Sequence, residues 1–109
     1  MIQNIIKYHT WVTVMHSTRE QNKLAFMTCV EVVLMRRGNT NYHLVMARLD
    51  SLHNCTIIDC YEHPEYLRTV LKEVYKEDYN SILDDIKLEL EKLVDIEKET
   101  ERFFKIMES

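Results

Sequence analysis

Leu24-Ala25-Phe26-Met27-Thr28-Cys29-Val30-Glu31-Val32-Val33-Leu34-Met35-Arg36-Arg37-Gly38 contains the most apolar run of the chain and ends on its single glycine. Wound at 3.6 residues per turn, its apolar side chains surround nearly the whole circumference and leave only a thin polar strip at Thr28 and Glu31. A helix of this kind belongs at the centre of a bundle or in the interface of a dimer. Gly38 can take the left-handed conformation that ends helices without steric penalty, and Arg36 and Arg37 complement the negative end of the helix dipole. Upstream, Ser17-Thr18-Arg19-Glu20 has the form of a capping box, in which the Ser17 hydroxyl accepts from the Glu20 amide while the Glu20 carboxylate reaches back. The pattern predicts a central helix from residue 17 to the two arginines. Its apolar part is about a dozen residues and contains Glu31, short of the roughly 18 that a membrane span needs.

Composition supports a helical reading for the rest of the 109 residues. With one Gly and one Pro, the chain lacks the residues that tight turns between strands require. Its length predicts a single domain, and a core of that size stands without disulfides or metal. The three cysteines, Cys29, Cys55 and Cys60, are an odd set, and no secretory leader is evident at the N-terminus, which predicts free thiols in the cytoplasm.

The segment 1–16 supports two readings. Ile2, Ile5, Ile6, Val12 and Met15 approximate a helical stripe, whereas Thr10-Trp11-Val12-Thr13-Val14 is a β-branched run; the lack of a second strand to pair with favours helix. After Gly38, Asn39 or Thr40 can cap a helix in which Tyr42, Val45, Met46, Leu49 and Leu52 recur at three and four, ending near His53-Asn54. Cys55 to Ile58 is a short connector able to dock Ile57 or Ile58. Pro64 then suits the first turn of another helix, with Leu67, Val70, Leu71 and Val74 as its buried stripe. The last helix is expected from about Asp78–Ser81, with Leu83, Ile86, Leu90 and Leu93 at heptad spacing, and residues 94–109 as its extension. The tail with Phe103, Phe104 and Met107 must dock on its own domain or on a partner. The sum is an all-α bundle of four to five helices, with the domain proper over 17–93.

Asp59-Cys60-Tyr61-Glu62-His63-Pro64-Glu65-Tyr66-Leu67 concentrates the reactive groups. His53, Cys55, Cys60 and His63 have donor types that suit tetrahedral zinc, but no Cys-x-x-Cys knuckle is present and most would sit on a connector. Cys60 with His63 could form a nucleophile pair aided by the following helix dipole, yet Asp59 and Glu62 oppose thiolate formation. Glu62 and Glu65 are explained more simply, as carboxylates favoured near a helix N-terminus. On the central helix, Glu31 is expected to point to solvent, with an ion pair to Arg48 as the other reading. No phosphate-binding glycine loop or dinucleotide fingerprint occurs. The reading assigns no catalytic, cofactor or metal residues and expects no enzyme.

Charge narrows the partners. Residues 1–50 hold six Lys/Arg against three Asp/Glu, and residues 51–109 hold eight against fifteen. An acidic half is a poor platform for phosphate backbones. A helix-turn-helix flanking Gly38, with Tyr42, His43 and Arg48 near the groove and Arg36-Arg37 beside it, is the one nucleic-acid reading.

The series from Asp59 to Leu67, followed by Val70-Leu71-Lys72-Glu73-Val74-Tyr75, Tyr79 and Ile82 to Leu90, resembles the archaeal nitrosopumilus output domain, over roughly residues 20 to 93. The resemblance implies a helical domain of archaeal signal transduction, of unassigned activity, here without a receiver module; it supplies no catalytic residues. Where a glycine is expected after the Pro64 helix, this chain has Lys76-Glu77-Asp78, so the two flanking helices are expected to be nearly continuous. Together these readings predict a cytoplasmic, non-enzymatic protein-interaction module, homodimeric through its apolar central helix and aromatic tail. A DNA-binding regulator and a zinc protein or cysteine-dependent enzyme stand as alternatives.

Overall fold

A computed structural model describes residues 18–109 of the chain, so the expectations for 1–16 and for the Ser17 cap lie outside the described residues. The fold is all-α. Five α-helices occur among the described residues: α1 (Thr18–Arg36), α2 (Asn39–His53), α3 (Pro64–Tyr75), α4 (Tyr79–Leu90) and α5 (Glu97–Met107). Short 3-10 turns at Ile58–Tyr61 and Lys76–Asp78 link α2 to α3 and α3 to α4.

α1 packs against α2, α4 and the first 3-10 turn; α3 lies against α2 and α5. Phe26, Met27, Val30, Val33 and Leu34 of α1 are buried, as are Val45 and Leu49 of α2 and Leu67, Val70 and Leu71 of α3. Fully burying an aliphatic or aromatic side chain of this kind stabilises by about 1.5–3 kcal/mol. α1 is therefore a core helix, but only on one side, because Leu24 and Met35 keep 53% and 43% of their surface exposed.

Three chain reversals differ from the sequence expectation. Gly38 has φ 127° and ψ 132°, extended and positive, not the left-handed helical conformation; it is the N-cap of α2, and neither Asn39 nor Thr40 is in that position. Lys76 takes φ 52° and ψ −118°, near the first central position of a type II′ turn, so α3 and α4 are two helices joined by a sharp turn and not one nearly continuous rod. The extension expected over 94–109 is also corrected. α4 stops at Leu90, the chain turns through Glu91–Ile96 with Asp95 at φ 59°, and α5 folds back.

Burial explains that return. Phe103, Phe104 and Met107 are buried on α5, and Phe103 sets its ring edge-on to Phe26 of α1 at 5.0 Å. Three such side chains are worth roughly 1.5–3 kcal/mol each, against about 1–2 kcal/mol for one left-handed residue. The aromatic tail thus docks on its own domain. Its carbonyl end is held by Arg68 and Tyr79, whose Nη1 and hydroxyl donate to the carbonyls of Ile106 and Met107 at 3.2 and 2.7 Å. Polar donors there satisfy the last helical carbonyls and favour the negative end of the dipole.

α2 ends on Asn54, which adopts the left-handed conformation and whose amide donates to the Asp50 carbonyl in the five-to-one bond of an αL ending, while the Cys55 amide donates to the Leu49 carbonyl. Ile57 docks into the core as expected, and Pro64 occupies the first turn of α3.

Candidate functional site

The residues from Cys55 to Tyr66 are brought close in space, and each is committed to holding the chain. The Asp59 carboxylate accepts from the amide and hydroxyl of Thr56 at 2.9 and 3.3 Å, which closes the 3-10 turn on itself. Cys60 is fully buried and its thiol donates to the Thr56 carbonyl at 3.7 Å. Burial pushes that thiol far above its ordinary pKa, with the neighbouring Cys55 and the Asp59 and Glu65 carboxylates adding to the shift. Burial likewise raises Cys29 and Cys55. The thiolate is the nucleophile, so none of the three thiols is activated.

His63 does not pair with Cys60. Its Nδ1 lies 3.2 Å from the Glu65 carboxylate and its ring stacks on Tyr66 at 4.8 Å. His53 stacks on the same tyrosine at 4.2 Å and 10°. The two imidazoles and the phenol form a ring stack that clamps the end of α2 to the start of α3. His53 Nε2 is buried without a hydrogen-bond partner. Among the described residues no group of three or more His, Cys, Asp or Glu could hold a metal ion. His63 is the N-cap residue of α3 by backbone position, but its side chain makes no cap bond.

Glu62 reaches Lys23 and Arg19 of α1 at 3.2 and 3.4 Å, and the hydrogen bond from Lys23, ahead of that from Arg19, holds its carboxyl below the usual range. Tyr61 meets Phe26 edge-on at 5.4 Å. The stretch that concentrates reactive groups is a joint between α1, α2 and α3.

The arginines of the helix-turn-helix reading are paired at the surface with carboxylates of the same chain. Arg36 bonds Glu89 at 2.7 Å, Arg37 bonds Asp85 at 2.8 Å and the Ser81 hydroxyl at 2.6 Å, and Arg48 pairs with Glu73. Phosphate binding depends on cations free to replace counterions, and these are spent on α3 and α4. The two readings of Glu31 are both corrected. Glu31 neither pairs with Arg48 nor stands alone in solvent; it is half-buried and accepts a 2.5 Å bond from the Tyr42 hydroxyl of α2.

The sequence reading named the apolar central helix as a dimer surface and the polar strip at Thr28 and Glu31, but not which side of α1 faces outward. Leu24, Thr28, Glu31 and Met35 fall on one line of the helix, with Ala25 and Val32 beside them. Leu24, Thr28 and Met35 are exposed, and Ala25 and Val32 half-exposed. The line extends over about 16 Å at 1.5 Å per residue. Its one charge, Glu31, is already held by Tyr42. The all-round apolar pattern concealed this face, because periodicity alone cannot divide an evenly apolar helix into an inner and an outer side.

No family model matches the chain, nor does any curated protein or solved structure. No described helix is long and apolar enough to cross a membrane.

Proposed function

We propose that the chain is a non-enzymatic helical module that binds protein through the outer face of α1, acting in the cytoplasm in archaeal signalling or regulation. One observation carries the binding role: Leu24 and Met35 are exposed, with Val32 half-exposed beside them, on a helix whose other side is packed in the core. Large apolar side chains exposed on one face of a helix are candidate contacts for a partner. Thr28 and Glu31 lie between the apolar ends of the line, Glu31 bonded to Tyr42 of α2, and Arg36 bonded to Glu89 edges it towards α4. The raised pKa values of the Cys29, Cys55 and Cys60 thiols and the intramolecular ion pairs of Arg36, Arg37 and Arg48 speak against thiol chemistry and duplex binding respectively. The three free cysteines support a reducing compartment, and the resemblance to the nitrosopumilus output domain supports the signalling role.

A photo-crosslinking residue placed at Thr28 tests the reading in whole cells, with Asp50, exposed on α2, as the control position. A protein crosslink at Thr28 and none at Asp50 is expected. Equal labelling at both positions, or none at Thr28, overturns it.

A further inference from the structure

We infer that the occupant of the α1 face is a second copy of this chain, docked antiparallel about a twofold axis between Thr28 and Glu31. The inference rests on the interaction role proposed above and names its partner. The spacing of Leu24, Thr28, Glu31 and Met35 is four, three and four, the a/d spacing of a helix seam that packs against another helix. A twofold contact is isologous: whatever residue i touches, the partner position touches residue i in return. The seam is built for that operation. Its ends are apolar and its centre polar, so an antiparallel copy sets Leu24 against Met35 and Thr28 against Glu31, twice over. The Thr28 hydroxyl of one copy can then donate to the Glu31 carboxylate of the other, which already accepts from Tyr42.

Neighbouring positions agree with the same register. Ala25 and Val32, the half-exposed apolar residues beside the seam, come to the same side and extend it. Along the seam itself no like charges oppose each other. A parallel copy would instead place Glu31 on Glu31 and Thr28 on Thr28, and like charges directly opposed are destabilising. Three helical turns form a small contact, at the low end of specific interfaces, so the association is expected in the micromolar range, on the order of 10–100 µM.

Light scattering after size exclusion, run on the full chain from about 5 to 500 µM, reads the outcome as mass. The wild-type chain is expected to rise from 13.2 kDa towards twice that value. Leu24→Glu and Met35→Lys, both at exposed positions, should each keep the helical circular dichroism and stay at single-chain mass. Mixed in equal amounts they should recover the doubled mass, because the antiparallel register sets the new carboxylate against the new ammonium. A wild-type chain at single mass throughout, single variants that associate like wild type, or a mixture that stays single each overturn the inference. The Thr28 crosslink separates this failure from failure of the broader reading. Crosslinking to residues near Glu31 of a second copy supports the twofold dimer. Crosslinking within the same chain, to residues 1–17, overturns both proposals. Crosslinking only to a different protein overturns the dimer and leaves the interaction role standing.

Discussion

The hydroxyl of Tyr79 donates a 2.7 Å hydrogen bond to the backbone carbonyl of Met107, fastening the first turn of α4 to the last turn of α5. The bond is buried, and burial pushes the phenol up to about 12. A folded-state pKa above the ordinary value near 10 means that the neutral phenol is the form the fold favours. Its contribution is complete below pH 10 and is lost as pH rises through about 12. Tyr79→Phe should cost about 1 kcal/mol at neutral pH, somewhat more because the Met107 carbonyl loses a partner. Urea unfolding at pH 9 and pH 11.5 checks both parts: the variant should be less stable at pH 9, and the gap to wild type should narrow at pH 11.5.

Lys76 occupies a backbone conformation that glycine adopts freely and other residues adopt at a cost. Lys76→Gly is expected to stabilise the chain by about 0.5–1 kcal/mol, although glycine normally loses more entropy on folding. Thermal unfolding of the glycine variant beside Lys76→Ala separates backbone from side chain. A stabilised glycine variant with an unchanged alanine variant is the expected pair.

The thiols should be slow to react in the folded chain, and Cys60 should not react at all until it opens. Cys60 is fully buried and its pKa is raised chiefly by burial, so it should react with an aromatic disulfide reagent no faster than the chain opens. Cys29 and Cys55 are half-exposed and should react slowly, faster as pH rises. Counting modified thiols against time, in buffer and then in denaturant, gives two slow reactions followed by a third on unfolding.

His53 uses its ring but not its buried Nε2. His53→Phe keeps the stack on Tyr66 and removes an unpartnered polar atom, so it should be neutral or stabilising by up to about 1 kcal/mol. His53→Ala loses the stack and should destabilise by about 0.5–1.5 kcal/mol. Denaturant midpoints of the two variants should fall on opposite sides of wild type or leave the phenylalanine variant level with it.

Helix positions were legible wherever one residue type had one physical role. Pro64 marked the first turn of α3, Gly38 marked the break after α1, and Leu67-Val70-Leu71 marked the buried stripe, because each depends on local geometry. The reversals at Lys76 and Asp95 were not legible, since neither is glycine and both are imposed by packing of distant helices. The return of α5 in particular depends on Phe103 meeting Phe26, a contact with no local signature. The joint around Cys60 and His63 could be recognised as a helix start, but the pairing of His53 and His63 through Tyr66 could not. The outer face of α1 was hidden for the opposite reason: too many apolar residues, not too few.

The contact between Phe26 and Phe103 also sets an order of events during synthesis. Ribosomes add roughly 5–20 residues per second, so the aromatic that completes the pocket around Phe26 is made roughly 4–15 s after Phe26 itself. Through that interval α1 to α3 can form, but the Phe26 ring and the face of α3 against which α5 packs stay open. A nascent chain stalled before residue 103 should therefore be a better client for chaperones than the finished one, and this vulnerability comes from the connectivity of the fold.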